Sequence, residues 1–272
     1  GAGKGVEMMF QSFLQSKLWI IFIGVCLAPL AANGAGVLDW RLEQMTADLN
    51  DKESLQRGMG LYVNYCLGCH SLKFQRYERS VVDLEIPKDV ALDNLVFTGQ
   101  KIGDLMDTAM APNKAKNWFG APPPDLTMIA RVRSPEWLYN YLKAFYVDES
   151  RPFGVNNKMF PNVGMPHALL DLQGIPREVC NGFKPRDLLS GKSLIGSPPV
   201  PLCDDIEVDI GTGIYNEAEY DQAAYDISNF LYYVGDPSRL DRYTLGYWVI
   251  GGLFILLIFA FFLNREYWKD VH

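Results

Sequence analysis

The sequence predicts a mainly helical domain with long loops, followed by one C-terminal membrane-spanning helix. Three observations carry that prediction. Apolar residues recur at helical spacing in three stretches, near residues 52–66, 135–145 and 217–233. Between them lie proline- and glycine-rich segments that no regular helix tolerates, and sustained strand alternation is scarce. From Thr244 to Leu263 the chain reads TLGYWVIGGLFILLIFAFFL, with no charged residue. At about 1.5 Å per residue this run spans roughly the 30 Å of a hydrocarbon core.

Each element has its own signal. At the N-terminus, Lys4 and Lys17 precede the apolar run LWIIFIGVCLAPLAA at 18–32, and Ala31, Ala32, Gly34 and Ala35 follow. Basic, apolar and small residues in that order make a secretory signal peptide over 1–35, with an uncleaved anchor as the alternative. Asn50 and Glu53 fit a capping box for the first helix, whose stripe is Leu55, Met59, Val63 and Cys66. Gly58 and Gly60 cost that helix about 1 kcal/mol each by propensity, which close approach of another helix would justify. APPPD at 121–125 and IGSPPVPL at 195–202 exclude helix. Pro135 starts a second helix to Phe145, with Leu138, Tyr141 and Leu142 on one side. VPLCDDIEVDI at 200–210 is the best candidate for a short hairpin strand. The third helix, Glu217–Tyr233, carries Tyr220, Ala223, Ala224, Ile227, Phe230 and Leu231 on its apolar face. Tyr247 and Trp248, and then Tyr267 and Trp268, bracket the membrane run as interfacial aromatics do.

The expected organisation is therefore a signal peptide at 1–35, an exported domain at 36–242, a transmembrane anchor at 243–264 and a cytoplasmic tail at 265–272. Orientation rests on the signal, because Arg239 and Arg242 before the span balance Arg265 and Lys269 after it. The net charge of −7 argues against a nucleic-acid partner and is compatible with a basic protein partner. Asp204, Asp205, Glu207 and Asp209 would suit such a partner, although a solvated acidic loop reads the same way.

The chemistry concentrates in Cys66-Leu67-Gly68-Cys69-His70. A structural zinc site needs about four Cys or His ligands, and this cluster supplies three. A thioredoxin-like dithiol expects a preceding strand, whereas a helix leads in here. Haem attachment needs two thiols for thioethers and a histidine for iron, and the export signal suits it. Of the other cysteines, Cys26 falls in the signal. Cys180 and Cys203 remain, and an exported chain favours their pairing, with two buried free thiols as the alternative.

Iron then needs a distal ligand or stays open, and Met165, Met159 and His167 in FGVNNKMFPNVGMPHALL are the candidates. Met59 reads as core, Met106 and Met110 as a packed helix face, and Met128 as packed; His272 lies across the membrane.

Four stretches together resemble the cytochrome c1 family of the proteobacterial kind: RGMGLYVNYCLGCHSLKFQRY at 57–77, APPPDLTMIARVR at 121–133, FPNVGMPHAL at 160–169 and FLNREYWKDVH at 262–272. The resemblance covers residues 37–272. It implies a class I c-type cytochrome domain with one covalent haem c, and places Met165 as the distal ligand. His167 falls where that family carries proline or a small residue. Arg133 matches an arginine that pairs with a haem propionate, and Trp137 falls near an aromatic at the same propionate. The implied role is electron transfer within the cytochrome bc1 complex of a bacterial inner membrane. Cytochrome b and the Rieske iron–sulfur protein are the implied partners, and a c-type cytochrome is the acceptor. In that role the chain itself makes or breaks no substrate bond. Other readings of the same motif are a haem subunit of a different membrane oxidase or reductase, or a haem enzyme or sensor with an open iron site.

Overall fold

A computed structural model describes residues 42–97, 99–181, 183–184, 200–201, 203 and 205–269. The signal-peptide reading, Cys26, Asp204 and His272 lie outside the described residues.

Helix α1 spans Lys52–Leu61. Its cap is Asp51, whose carboxylate accepts from Ser54 N at 2.9 Å. The box expected from Asn50 and Glu53 therefore does not form: a better acceptor stands one residue later, and the Asn50 amide bonds Asp48 instead. Tyr62–Cys66 then winds as one π-helical turn, with Leu67 N donating to Tyr62 O at 2.9 Å. Strand β1, Leu72–Arg76, pairs antiparallel with β2, Leu105–Met106; α2, Tyr77–Asp83, and α3, Lys88–Asn94, lie between them in the chain. Helix α4, Pro112–Phe119, ends at Gly120, whose φ of 80° gives the left-handed cap. The short α5 spans Ile129–Val132.

Helix α6, Pro135–Lys143, is capped by Ser134, which accepts from Trp137 N at 3.1 Å. It stops two residues before the expected end because Phe145 opens strand β3, Phe145–Val147, paired with β4, Val155–Asn157. A one-turn α7, Leu170–Gln173, precedes β5, Pro176–Val179. The hairpin expected at 200–210 is divided: β6, Phe183–Lys184, pairs with β7, Val200–Pro201, while β5 pairs with β8, Asp205–Val208. Helix α8, Glu217–Gly235, carries a true capping box between Asn216 and Glu219. Helix α9, Arg239–Tyr267, is 29 residues long and buries none of them against the chain.

The core forms where α1 crosses α8, with α5 and α6 packed on the other flanks of α8. Leu55, Met59 and Tyr62 meet Ile227, Phe230 and Leu231 there. All six expected face residues of α8 are buried. A Cβ on Gly58 would lie 2.1 Å from Asp226 O, so this glycine permits the crossing; Gly60 has nothing within 4 Å and plays no such part. Arg57 clamps the same crossing through a paired contact with the buried Asp226, at 2.7 and 3.1 Å. Residues 43–50 strap across α6 and α8: Asn140 brackets the Glu43 backbone, Lys143 bonds the Glu43 carboxylate, and Asn229 holds Asp48 O.

Candidate functional site

The π turn delivers Cys66 into the core and leaves Cys69 half-buried, both as free thiols. His70 N closes back on Cys66 O at 2.8 Å, and Cys69 N on the same oxygen at 3.0 Å. Three further contacts fix the motif. The buried Tyr62 hydroxyl donates to His70 O at 2.5 Å, Thr108 Oγ1 donates to Gly68 O at 2.8 Å, and Leu126 N donates to Ser71 O at 2.9 Å. The motif thus joins α1 to the two loops at 107–110 and 121–128.

His70 is buried, and its Nδ1 lies 2.8 Å from Pro124 O. A carbonyl only accepts, so this bond places the proton on Nδ1 and leaves the Nε2 lone pair for a metal. Burial pulls the imidazole below its ordinary pKa, against the opposing pull of the Pro124 bond and Asp125, and keeps it neutral. Burial likewise raises Cys66 to about 12 and raises Cys69, so both sulfurs stand as neutral thiols.

These donors fit a covalently attached haem better than zinc. Cys66, Cys69 and His70 do not bring their ligand atoms together as a three-membered metal-binding group, with or without a fourth Cys, His or carboxylate, among the described residues. The one such grouping found is Glu178 with Cys180 and Cys203. Those two cysteines are joined to each other in a disulfide.

Met165 sits half-buried in the loop after β4, against the cluster of Phe145, Val155 and Val163, and the Tyr141 hydroxyl reaches its Sδ at 3.4 Å. The loop is built by asparagines. Asn156 Oδ1 accepts from Asn162 N at 2.8 Å, and Asn157 Oδ1 accepts from Met159 N and Phe160 N at 2.9 and 3.1 Å. Met159 itself is buried. His167 is a core residue: it stacks on Phe145 at 4.7 Å, and its Nε2 faces Gln173 Oε1 at 2.5 Å. Burial pushes it down to about 4, so it too is neutral.

Arg133 is exposed and lies over the Trp137 ring at 5.1 Å. Trp137 stacks on Tyr141 at 5.0 Å. Arg133, Trp137 and Tyr141 thus share one stripe, four residues apart, that leads to Met165. Three methionines differ from expectation. Met106 is fully buried, but in β2 rather than on a helix, Met110 is half-buried in the loop before α4, and Met128 is 43% exposed because it caps α5 from outside.

Sequence reasoning missed Pro124, Tyr141 and Asn157. PPPD before a helix hints that a carbonyl is left free there. Nothing local marks the other two.

A family model described as the Cytochrome C1 family matches residues 40–271. The cytochrome c1 of Allochromatium vinosum is 46% identical over 248 residues, covering 90% of this chain and 96% of that protein. A Nitrosomonas europaea protein named ammonia monooxygenase gamma subunit is 38% identical, covering 93% of this chain and 97% of that one. The cytochrome c1 of Rhodobacter capsulatus is 26% identical over 80% of this chain and 83% of its own length.

Proposed function

Since the chain belongs to the cytochrome c1 family, we propose that Cys66 and Cys69 hold one haem c covalently, that His70 and Met165 ligate its iron, and that the subunit relays single electrons from the Rieske iron–sulfur protein to a c-type cytochrome. Family membership makes the chain the haem c subunit of the cytochrome bc1 complex, which also contains cytochrome b and the Rieske protein, and α9 anchors it in the membrane. The observation that carries the ligand reading is the His70 Nδ1–Pro124 O contact at 2.8 Å, which turns a buried, neutral imidazole into a one-sided Nε2 donor beside two free thiols.

Bound haem supplies a one-electron couple at iron. The chain supplies everything that sets this couple to work. Pro124 fixes the His70 tautomer and ring orientation. A thioether from Met165 would give bound iron a higher potential than a second imidazole and would keep outside ligands from it. Arg133, exposed and without a carboxylate partner among the described residues, is placed to pair with a propionate, with Trp137 supporting its guanidinium. Engagement of His167 by Gln173 supports Met165 over His167. The haem domain faces the periplasm and the C-terminal tail the cytoplasm, in keeping with the signal-peptide reading.

Substitutions at Met165 and at the two attachment cysteines test this. Met165→Leu is expected to lose the low-spin His/Met spectrum and to bind carbon monoxide when reduced; an unchanged spectrum removes Met165 as ligand. Cys66→Ala with Cys69→Ala is expected to leave no haem that survives acid–organic extraction of the protein. Haem that still resists extraction refutes thioether attachment.

A further inference from the structure

We propose that Tyr141 and Asn157 are positioning residues that together hold the Met165 thioether at the iron; this rests on the reading of Met165 as ligand. The two side chains act on opposite ends of one loop. Asn157 is buried, and its amide joins two elements. Nδ2 donates to Tyr141 O on α6 at 2.8 Å, while Oδ1 accepts from Met159 N and Phe160 N where the methionine loop begins. One side chain thus ties the loop's base to the backbone of Tyr141. At the far end, the Tyr141 hydroxyl donates to Met165 Sδ at 3.4 Å.

The tyrosine ring has little freedom. Trp137 stacks on it at 5.0 Å and 14°, and Phe145 meets it edge-on at 5.3 Å and 73°. With its ring fixed from both sides and its backbone fixed by Asn157, the hydroxyl has one place to point. A hydrogen bond into the sulfur draws electron density from it. Sulfur then donates less to iron, which disfavours the ferric form more than the ferrous, so the bond raises the potential. The same bond, with the loop tether, opposes swinging of the thioether away from the metal.

The test uses the full-length, haem-loaded chain and measures midpoint potential and carbon monoxide affinity of the reduced protein. Tyr141→Phe keeps the ring stack and is expected to keep the His/Met spectrum. Its potential is expected to fall by up to the ~59 mV that a tenfold change in a one-electron equilibrium represents. Asn157→Ala is expected to bind carbon monoxide about tenfold more readily, the size of one buried hydrogen-bond tether. If Asn157→Ala fails to fold, Tyr141→Phe decides alone. Potential and carbon monoxide affinity both unchanged in Tyr141→Phe overturn the proposal, even where Met165→Leu abolishes the low-spin spectrum. A Met165→Leu protein with the parent spectrum overturns the ligand reading and this proposal together.

Discussion

Gly58 and Gly60 lie two residues apart in one helix, share a propensity cost and answer to different physics. A methyl group on Gly58 would sit 2.1 Å from Asp226 O and 2.8 Å from the Cβ of Phe230. Gly58→Ala is therefore expected to destabilise the domain by about 3 kcal/mol, because overpacking against backbone outweighs the gain in helix propensity. Gly60→Ala meets nothing and is expected to stabilise by about 1 kcal/mol. Urea melts of the two variants should move in opposite directions. The sequence flagged both glycines alike, since propensity is local and the neighbour that distinguishes them is 168 positions away in the chain, at Asp226. The same limit governed the site. Cys66, Cys69 and His70 are adjacent and could be read at once. Pro124 acts through a carbonyl, which every residue carries, and it comes from 54 positions away. Tyr141 and Asn157 look like any stripe aromatic and any loop amide until the fold brings them to Met165.

At the scale of elements, the legible parts are those with one wet and one dry face. Helix α8 was visible through its stripe, and its capping box is worth about 1 kcal/mol. Asn216→Ala is expected to lower stability by that amount, read from thermal melts, with no change in the haem spectrum. The strands β2, β6 and β7 have two residues each, too few for alternation to register. They exist because loops between helices pair where they happen to run side by side. The Cys180–Cys203 disulfide encloses the β6–β7 ladder, and Lys158, next to the methionine loop, donates to Cys203 O at 2.7 Å. Its reduction is expected to cost about 3 kcal/mol in the chain-entropy model, read as a lower denaturation midpoint in thiol-containing buffer.

Over the whole molecule, the division into a packed domain and an unpacked helix followed from composition alone. A core helix of the same length would be buried, whereas none of α9 is. What composition could not show is how the two are joined. Asp236 ends α8, and its carboxylate takes both guanidinium nitrogens of Arg242 from α9, at 2.5 and 3.2 Å, with Arg131 from α5 at 3.7 Å. Arg239 caps the joint from the other side, over the Tyr232 ring at 4.8 Å. Three elements therefore meet on one carboxylate, and the consequence is mechanical: the joint transmits torque. Turning the anchor about its own axis turns the domain with it, so the angular setting of α9 becomes an aiming device for the domain. One alanine inserted between Tyr243 and Thr244 leaves the Asp236–Arg242 contact in place and the span apolar and long enough, but rotates everything after it by about 100°. That variant is expected to remain membrane-bound with a normal spectrum and to fail either to co-purify with cytochrome b or to accept electrons from the Rieske protein at the parental rate.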